Sequence, residues 1–279
     1  MTRDNKILPL MRYVLAPLAV LSTIFGLILL VFPDRTETMF VWTITPPMSA
    51  VFVGAGYTFG AITIWHLLWR GNWHPMRVAL AGTWAFSAGM LGATLLHWDR
   101  FHHGTILFYG WLLVYVGTPL LLPVAYWLNQ SHDPGPASDE PRVSALTRVG
   151  MTLIGVLFTV LGLIMFFSPT AFANIWPWTL TPLMSRVIGS WLFLPGVSAL
   201  LAYFELRWTS YRSLLQDSLA WLFLLLIGSV IHRNEFDFSR PFTMIWFVAL
   251  VGWILLNLAL YVYHERLIRH PLSSEAKSQ

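Results

Sequence analysis

The chain is organised around the segment Trp42-Thr43-Ile44-Thr45-Pro46-Pro47-Met48-Ser49, which returns as Trp178-Thr179-Leu180-Thr181-Pro182-Leu183-Met184-Ser185. Six of the eight positions are identical, and the two copies lie 136 residues apart in a chain of 279 residues. Because that interval is close to half the chain, the sequence predicts one structural unit that is used twice.

The amino-acid composition is that of a membrane protein. Hydrophobic residues make up 56% of the chain and charged residues only 11%, whereas a soluble domain carries roughly 25% charged residues. The basic residues behind the net charge of +4 are spread through short loops, which argues against nucleic-acid binding. The absence of cysteine excludes disulfides, thiolate metal ligands and cysteine nucleophiles.

Eight apolar segments are long enough to cross a bilayer, which takes roughly 20 residues. We therefore predict an all-α, polytopic membrane protein with eight transmembrane helices. The predicted spans are 12–32, 46–69, 77–97, 105–128, 147–167, 182–206, 212–232 and 241–264.

These spans fall into two sets of four. Beyond the motif, identical residues recur at an offset of 136 and then of 135 residues, among them Trp73 with Trp208 and Trp111 with Trp246. Since each unit has an even number of spans, both units enter the membrane in the same direction, as a tandem 4+4 parallel repeat. The predicted divisions are a first repeat at 1–128, a cytoplasmic linker at 129–146, a second repeat at 147–264 and a disordered cytoplasmic tail at 265–279.

Basic residues are divided unequally between the two faces of the predicted bundle. Twelve Lys and Arg residues lie on the face that holds both termini, and five lie on the opposite face. This excess predicts that both termini are cytoplasmic. The first apolar run is long enough to span the bilayer and no small-residue cleavage pattern follows it, so we expect a retained first helix.

The repeated motif is typical of a helix start. Thr45 and Thr181 are suitable N-caps, and the proline after each suits the first helical position. Trp42 and Trp178 come just before, where an indole anchors at the membrane interface. Two such helix N-termini facing one another can also hold an anion, so both tryptophans are candidate binding residues.

The outer ends of the third and seventh spans carry His97 and His232, which the predicted repeat pairs. Two histidines related by a pseudo-two-fold axis are suited to holding a haem iron, a quinone or a metal ion between them. The alternative is that each is an interfacial polar group bonded to a carbonyl or to water. No metal-ligand spacing and no haem attachment motif accompanies them.

The loops that follow these histidines differ between the units. Asp99-Arg100 in the first unit is replaced in the second by Asn234-Glu235, which follows Arg233. If the two loops meet, Arg100 can pair with Glu235 and Asp99 with Arg233, which would fix one unit against the other. Alternatively, these charged residues line an outer vestibule for a substrate.

Polar residues also lie within or near the spans, namely His66, Glu205, Asp217 and Asn257. Ionisable groups in spans are functional candidates, but the first three lie near the cytoplasmic edge, where they can pair with arginines. Asn257 is deeper and can hydrogen-bond to a neighbouring helix. No lysine lies in a span, which excludes a retinal Schiff base.

The stretch Ala93-Thr94-Leu95-Leu96-His97-Trp98-Asp99-Arg100-Phe101, together with the Trp42 motif, resembles uncharacterised bacterial eight-span membrane proteins. The resemblance covers most of the chain. It implies residence in the bacterial inner (cytoplasmic) membrane, but it implies no activity and carries over no functional residue.

Three functions fit the sequence. The first is a non-catalytic subunit or scaffold that binds a lipid, a membrane protein partner or a second copy of itself. The second is a transporter or small-solute-binding protein with its site between the two repeats. The third is a haem, quinone or metal redox protein that uses His97 and His232. A hydrolase or transferase acting on lipid would need the cluster of His97, Asp99 and His102.

Overall fold

The computed structural model describes residues 5–135 and 142–269. Within those ranges the chain folds into α-helices joined by short turns and loops. The helices are α1 (Pro9–Val31), α2 (Thr36–Met39), α3 (Pro47–Arg70), α4 (Arg77–Leu96), α5 (Ile106–Gln130), α6 (Ala145–Phe167), α7 (Pro182–Ala202), α8 (Trp208–Ile231) and α9 (Pro241–Arg269).

Eight of these helices, all except the short α2, are long and apolar enough to cross a membrane. Their outer faces carry large apolar side chains such as Leu113, Leu153 and Val248, each about two-thirds exposed. Apolar surface on this scale is stable only against lipid. The chain is therefore an integral membrane protein, as its composition predicted.

The predicted helix boundaries lie within four residues of the observed ones at every end except that of α9. That helix continues to Arg269, whereas the sequence placed the beginning of a disordered tail at 265. Residues 265–269 are helical instead, and Glu265 forms an ion pair with Arg212 of α8 at 2.9 Å. The rest of the predicted tail, and residues 136–141 of the predicted linker, lie outside the described residues.

The centre of the bundle is formed by α3 and α7. In each, 67% of the apolar stretch is buried inside the protein, against 17% for α9. α3 packs against α1 and α8, and α7 packs against α6 and α4. The spacing of Ala81, Ala85, Gly89 and Ala93 predicts α4 as a central helix, but Ala81 and Ala85 are only half-buried.

α4 approaches α7 closely through a face of α4 next to the one that bears Ala81 and Ala85. A side chain at Gly82 would collide with the Leu194 carbonyl oxygen and with Ser198 Oγ, and one at Gly89 would lie 2.6 Å from Ser190 Oγ. Small residues allow this approach where lipid supplies no hydrophobic drive between helices. The crossing of α4 with α7 is therefore closed along its length.

Contacts recur at positions that the predicted repeat pairs. An indole N–H donates to a hydroxyl of the preceding helix in both halves, and an arginine of the first helix donates to a carbonyl near the end of the second. The pairs are Trp111–Thr94 at 3.0 Å with Trp246–Ser229 at 2.9 Å, and Arg12–Leu68 with Arg148–Tyr203, both at 3.1 Å. These matched contacts support the 4+4 repeat, which stays a prediction.

The two copies of the motif begin their helices differently. α7 begins as predicted, because Thr181 Oγ1 accepts a hydrogen bond from the Met184 N–H at 3.2 Å. α3 begins only at Pro47, and neither Thr45 nor the N-cap residue Pro46 supplies a side-chain cap. The predicted Thr45 cap was therefore wrong. When α3 and α7 are aligned at their first residues, Pro47 and Pro182, the first copy of the motif has one extra residue, Pro46. The offset between the copies therefore changes from 136 to 135 within the motif.

Neither Trp42 nor Trp178 is an interfacial anchor, which corrects the sequence prediction. Their side chains are 1% and 0% exposed, and each lies in a cluster of aromatic rings. Large rings bury more area against one another than a headgroup region offers, so the loops fold inward over the bundle. The ring contacts are Trp42 with Phe101 and Trp111 at 5.2 and 5.1 Å, and Trp178 with Phe236 and Trp246 at 5.2 and 5.0 Å.

Candidate functional site

Each predicted site histidine ends its helix and precedes a short 3₁₀ turn, Trp98–Arg100 after His97 and Arg233–Glu235 after His232. His97 Nε2 accepts a hydrogen bond at 2.7 Å from Nη1 of Arg186, on α7. Burial and the positive charge of Arg186 both lower the pKa of His97, so its ring is neutral at pH 7. The lone pair that a haem iron would need on Nε2 is thus already used by a guanidinium.

His232 has a different partner. Its Nδ1 lies 2.8 Å from Glu235 Oε1, and the other oxygen of Glu235 accepts a hydrogen bond from the Met48 N–H at 2.7 Å. Met48 is in the first turn of α3, so Glu235 satisfies a free amide at the positive end of that helix. For α3, the anion predicted at the helix N-terminus is a carboxylate of the protein itself.

The structure does not form the predicted ion pairs between the two outer loops. Arg100 Nε lies 3.4 Å from Oδ2 of its own neighbour Asp99, and both side chains are exposed. Glu235 caps α3 instead, because an unpaired helix amide offers it a stronger partner than an exposed arginine does. Arg233 has no ion pair among the described residues.

No three His, Asp or Glu side chains in the described ranges are close enough to hold a metal ion. His97 contacts Arg186 and His232 contacts Glu235, and no hydrogen bond among the described residues joins the two histidines. The predicted role of these histidines in holding haem or quinone stays a prediction, tested by the absorption spectrum of the purified protein.

The opposite end of the bundle holds a buried ion-pair network. The Arg207 side chain is 5% exposed and reaches Glu205 through Nε at 3.0 Å and Asp133 through Nη1 at 3.1 Å. Arg77, at the start of α4, contacts the same two carboxylates at 2.8 and 2.9 Å. The sequence predicted that Glu205 pairs with a nearby arginine, which is confirmed. It did not predict Asp133 or the burial of the network.

The arginines keep the carboxylates of this network ionised. Burial by itself raises the pKa of Asp133, but hydrogen bonds from Arg207 and the Gly135 N–H, with the charges of Arg207 and Arg77, lower it to about 2. Burial also raises the pKa of Glu205, but Arg207 and Arg77 lower it by a larger amount, so that the net shift is downward. The network is therefore charged at neutral pH and acts as a clamp that joins α4 to the α7–α8 connection.

Beside this clamp, α3 and α8 diverge and leave a polar cleft with a volume of about 240 Å³. Its basic rim consists of His66 and Arg70 at the end of α3 and Arg212 near the start of α8. Arg212 is paired with Glu265, whereas Arg70 has no ion-pair partner among the described residues. We call this space, with Asp217 and Ser213 on its α8 wall, the α3–α8 cleft.

Asp217 forms the floor of the cleft. Its side chain is only 7% exposed, and its Oδ2 accepts a hydrogen bond from Thr63 Oγ1 at 2.7 Å. Its other oxygen lies 3.7 Å from Nδ1 of His66, whose side chain is 49% exposed. A buried carboxylate thus lies beneath a rim of donors, which is the arrangement expected where a polar ligand enters a membrane protein.

The cleft ends within the bundle. Beyond Asp217, Phe59 of α3 stacks on Trp221 of α8 with ring centroids 5.6 Å apart. Further on, a side chain at Gly228 would collide with Val51, so the two helices are in close contact there. The cleft therefore opens toward the end of the bundle where α3 ends and α8 begins.

The sequence singled out His66 and Asp217 but gave them local arginine partners rather than a common site. The signal that could have joined them is the predicted repeat, which pairs Asp217 with Gly82 and Arg70 with Glu205 at the offset of 135. The prediction for Asn257 is confirmed, because its Oδ1 accepts a hydrogen bond from Ser218 Oγ at 2.8 Å.

Comparisons with protein-family models, with curated proteins and with solved structures gave no match. The functional argument therefore depends on the geometry of the α3–α8 cleft.

Proposed function

We propose that this integral membrane protein is a non-catalytic subunit or scaffold that binds a polar group of a lipid or partner in the α3–α8 cleft. The observation that carries the proposal is the cleft itself, with buried Asp217 below the exposed Arg70. We further propose that it resides in a bacterial inner membrane as a tandem 4+4 repeat with both termini cytoplasmic. On that orientation the cleft opens to the cytoplasmic headgroup region.

The packing around the cleft supports a static role. The crossing of α4 with α7 is closed by Gly82 and Gly89, and the clamp of buried charges ties the halves together beside it. A buried network of this kind loses several kcal/mol if one partner separates. Relative movement of the halves would therefore have to break it, which favours a scaffold over a protein that rocks between states.

The test is retention of a bound molecule. Native mass spectrometry of protein purified in a mild detergent should show a lipid or partner retained at a fixed stoichiometry. Ser213→Trp fills the cleft and should abolish that retention, whereas Ser131→Trp, at an exposed position, should leave it intact. Equal retention by both variants contradicts the proposal.

A transporter is the second candidate, because the cleft lies between a helix of each predicted repeat. The two candidates differ in how the cleft is reached. The chain has no cysteine, so Ser213→Cys introduces a single thiol for a membrane-impermeant reagent in oriented vesicles. We expect labelling from the face that bears the termini alone. Labelling from both faces would favour the transporter, with Glu37→Cys as the reference for the opposite face.

A further inference from the structure

The α3–α8 cleft combines two kinds of charge at two depths. Arg70 and Arg212 lie on its rim, and Arg212 Nε is paired with Glu265 at 2.9 Å. Arg70, and the guanidinium N–H groups of Arg212 that Glu265 does not use, can donate to an anion. Asp217 lies on its floor and offers an acceptor, because one of its oxygens accepts a hydrogen bond from Thr63 at 2.7 Å and the other lies 3.7 Å from His66 Nδ1. A simple anion that filled the cleft would meet the Asp217 carboxylate at close range, where like charges repel.

A ligand with an anionic and a cationic end fits both parts. A guanidinium matches phosphate oxygens in geometry and charge. A carboxylate matches a primary ammonium group, whose three N–H donors can be shared among Asp217 and the side-chain oxygens of Ser213 and Gln216 on the same wall. The cleft thus complements a phosphate at its mouth and an amine at its floor.

The size and position of the cleft agree with such a ligand. A volume of about 240 Å³ leaves room for a headgroup. Trp69, in the last turn of α3, is 89% exposed, as expected of an aromatic side chain at the membrane–water boundary. The mouth therefore lies where the phosphates of a bilayer lie.

We propose that the α3–α8 cleft binds a phosphate ester that carries a primary amine, with the phosphate on Arg70 and Arg212 and the ammonium on Asp217. The ligand is then the headgroup of an aminophospholipid or the free phosphoamine. This inference deepens the proposed function and depends on the cleft being a binding site at all.

The test uses the full chain, delipidated in detergent and titrated with lipids that share the same acyl chains. Native mass spectrometry should show at least about tenfold tighter binding of phosphatidylethanolamine than of phosphatidylcholine or phosphatidylglycerol. Phosphatidylcholine tests the loss of the N–H donors, and phosphatidylglycerol tests the loss of the amine. Calorimetry with free phosphoethanolamine distinguishes a soluble ligand from a lipid, and inorganic phosphate tests the phosphate alone.

Two cleft variants should fail in different ways. Arg70→Gln should weaken binding of all three lipids about tenfold, because the phosphate contact is common to them. Asp217→Asn should leave phosphatidylglycerol unchanged and remove the preference for the amine. Arg35→Gln, an exposed arginine at the other end of the bundle, is the matched control and should bind as the wild-type does.

Binding that does not discriminate among the three lipids, or that neither cleft variant changes, overturns the inference. If the molecule lost in Ser213→Trp contains no phosphate, the inference fails while the proposed function stands. If Ser213→Trp loses nothing, both fail together.

Discussion

The crossings of α4 with α7 and of α3 with α8 use positions that the predicted repeat pairs, yet one is closed and the other is open. At the closed crossing, Gly82 lets the helices touch, and the carboxylate of Glu205 draws in Arg77 at 2.8 Å. At the open crossing the paired positions hold Asp217 and Arg70. Arg70 faces Arg212 across the cleft, so like charges replace an attractive pair.

A few residues, several of them charged, distinguish the packed crossing from the cleft. The apolar segments give four membrane-spanning helices in each of the two predicted repeats. At the paired positions of the cleft, a carboxylate stands in place of a glycine and an arginine in place of a glutamate.

The largest expected effect comes from placing the cleft residue in the closed crossing. Gly82→Asp adds a side chain where the Leu194 carbonyl oxygen and Ser198 already lie, and it buries an unpaired charge. We expect destabilisation of roughly 4–8 kcal/mol, as the sum of overpacking and an uncompensated charge. The measurement is thermal unfolding followed by tryptophan fluorescence in detergent.

Gly82→Ala keeps the steric conflict without the charge and should cost only about 1–3 kcal/mol. If Gly82→Asp fails to fold, Gly82→Ala still tests the close contact of α4 with α7. A melting temperature of Gly82→Asp within about 2 °C of wild type would show that α4 and α7 are not in close contact.

The next effect comes from breaking the clamp. Arg207→Met leaves Glu205 and Asp133 buried with Arg77 as their remaining strong partner, and removal of one member of a buried charge network costs about 3–5 kcal/mol. Thermal unfolding measures the loss. Arg35→Met, at an exposed position, should change stability by less than about 0.5 kcal/mol, and similar losses in both variants would argue against a clamp.

Acid should weaken the clamp in a defined window. The folded-state pKa of Asp133 is about 2, below its ordinary value of 3.8. A carboxylate with a depressed pKa contributes stability that is fully present above its unfolded pKa and is lost as the pH falls through the folded value. The melting temperature should thus be insensitive to Asp133 above about pH 5 and fall between roughly pH 4 and 2.

Asp133→Asn is less stable at neutral pH but cannot titrate at this position, so its pH dependence in that window should be shallower. Parallel pH profiles for wild type and variant would contradict the assignment.

The smallest effect on stability is expected in the cleft. Arg70→Glu reproduces Glu205 of the closed crossing and places a carboxylate opposite Arg212. An exposed pair of this kind adds about 0–1 kcal/mol, but it should narrow the cleft and slow thiol labelling of Ser213→Cys. Arg70→Gln removes the repulsion between residue 70 and Arg212 without adding an attraction. Equal labelling rates in the Arg70→Glu and Arg70→Gln variants would show that these charges do not set the width of the cleft.

Much of the fold could be predicted from the sequence, because hydropathy and length act locally. The eight spans follow from runs of apolar residues, and their ends lie near the predicted positions. Local rules also gave the Thr181 cap and the Asn257 hydrogen bond. They failed at Thr45 because a carboxylate from the other half, Glu235, satisfies the start of α3.

The candidate site could be predicted only in part. His66 and Asp217 were recognisable as ionisable residues in spans, but their meeting depends on which faces of α3 and α8 turn toward each other. The predicted outer site shows the same limit, since the partners of His97 and Glu235 come from helix ends far away in the chain. Pairing rules based on charge alone cannot tell which of several partners is within reach.

The membrane-spanning helices and the predicted repeat follow from the length of the apolar segments and from residue identity, which are local properties of the chain. The burial of Trp42 and Trp178, the joining of Asp133 to Glu205 in a clamp, and the cleft beside Asp217 depend on how the helices pack. Those outcomes depend on distances between residues remote in the chain, and burial and ion pairing change steeply with such distances.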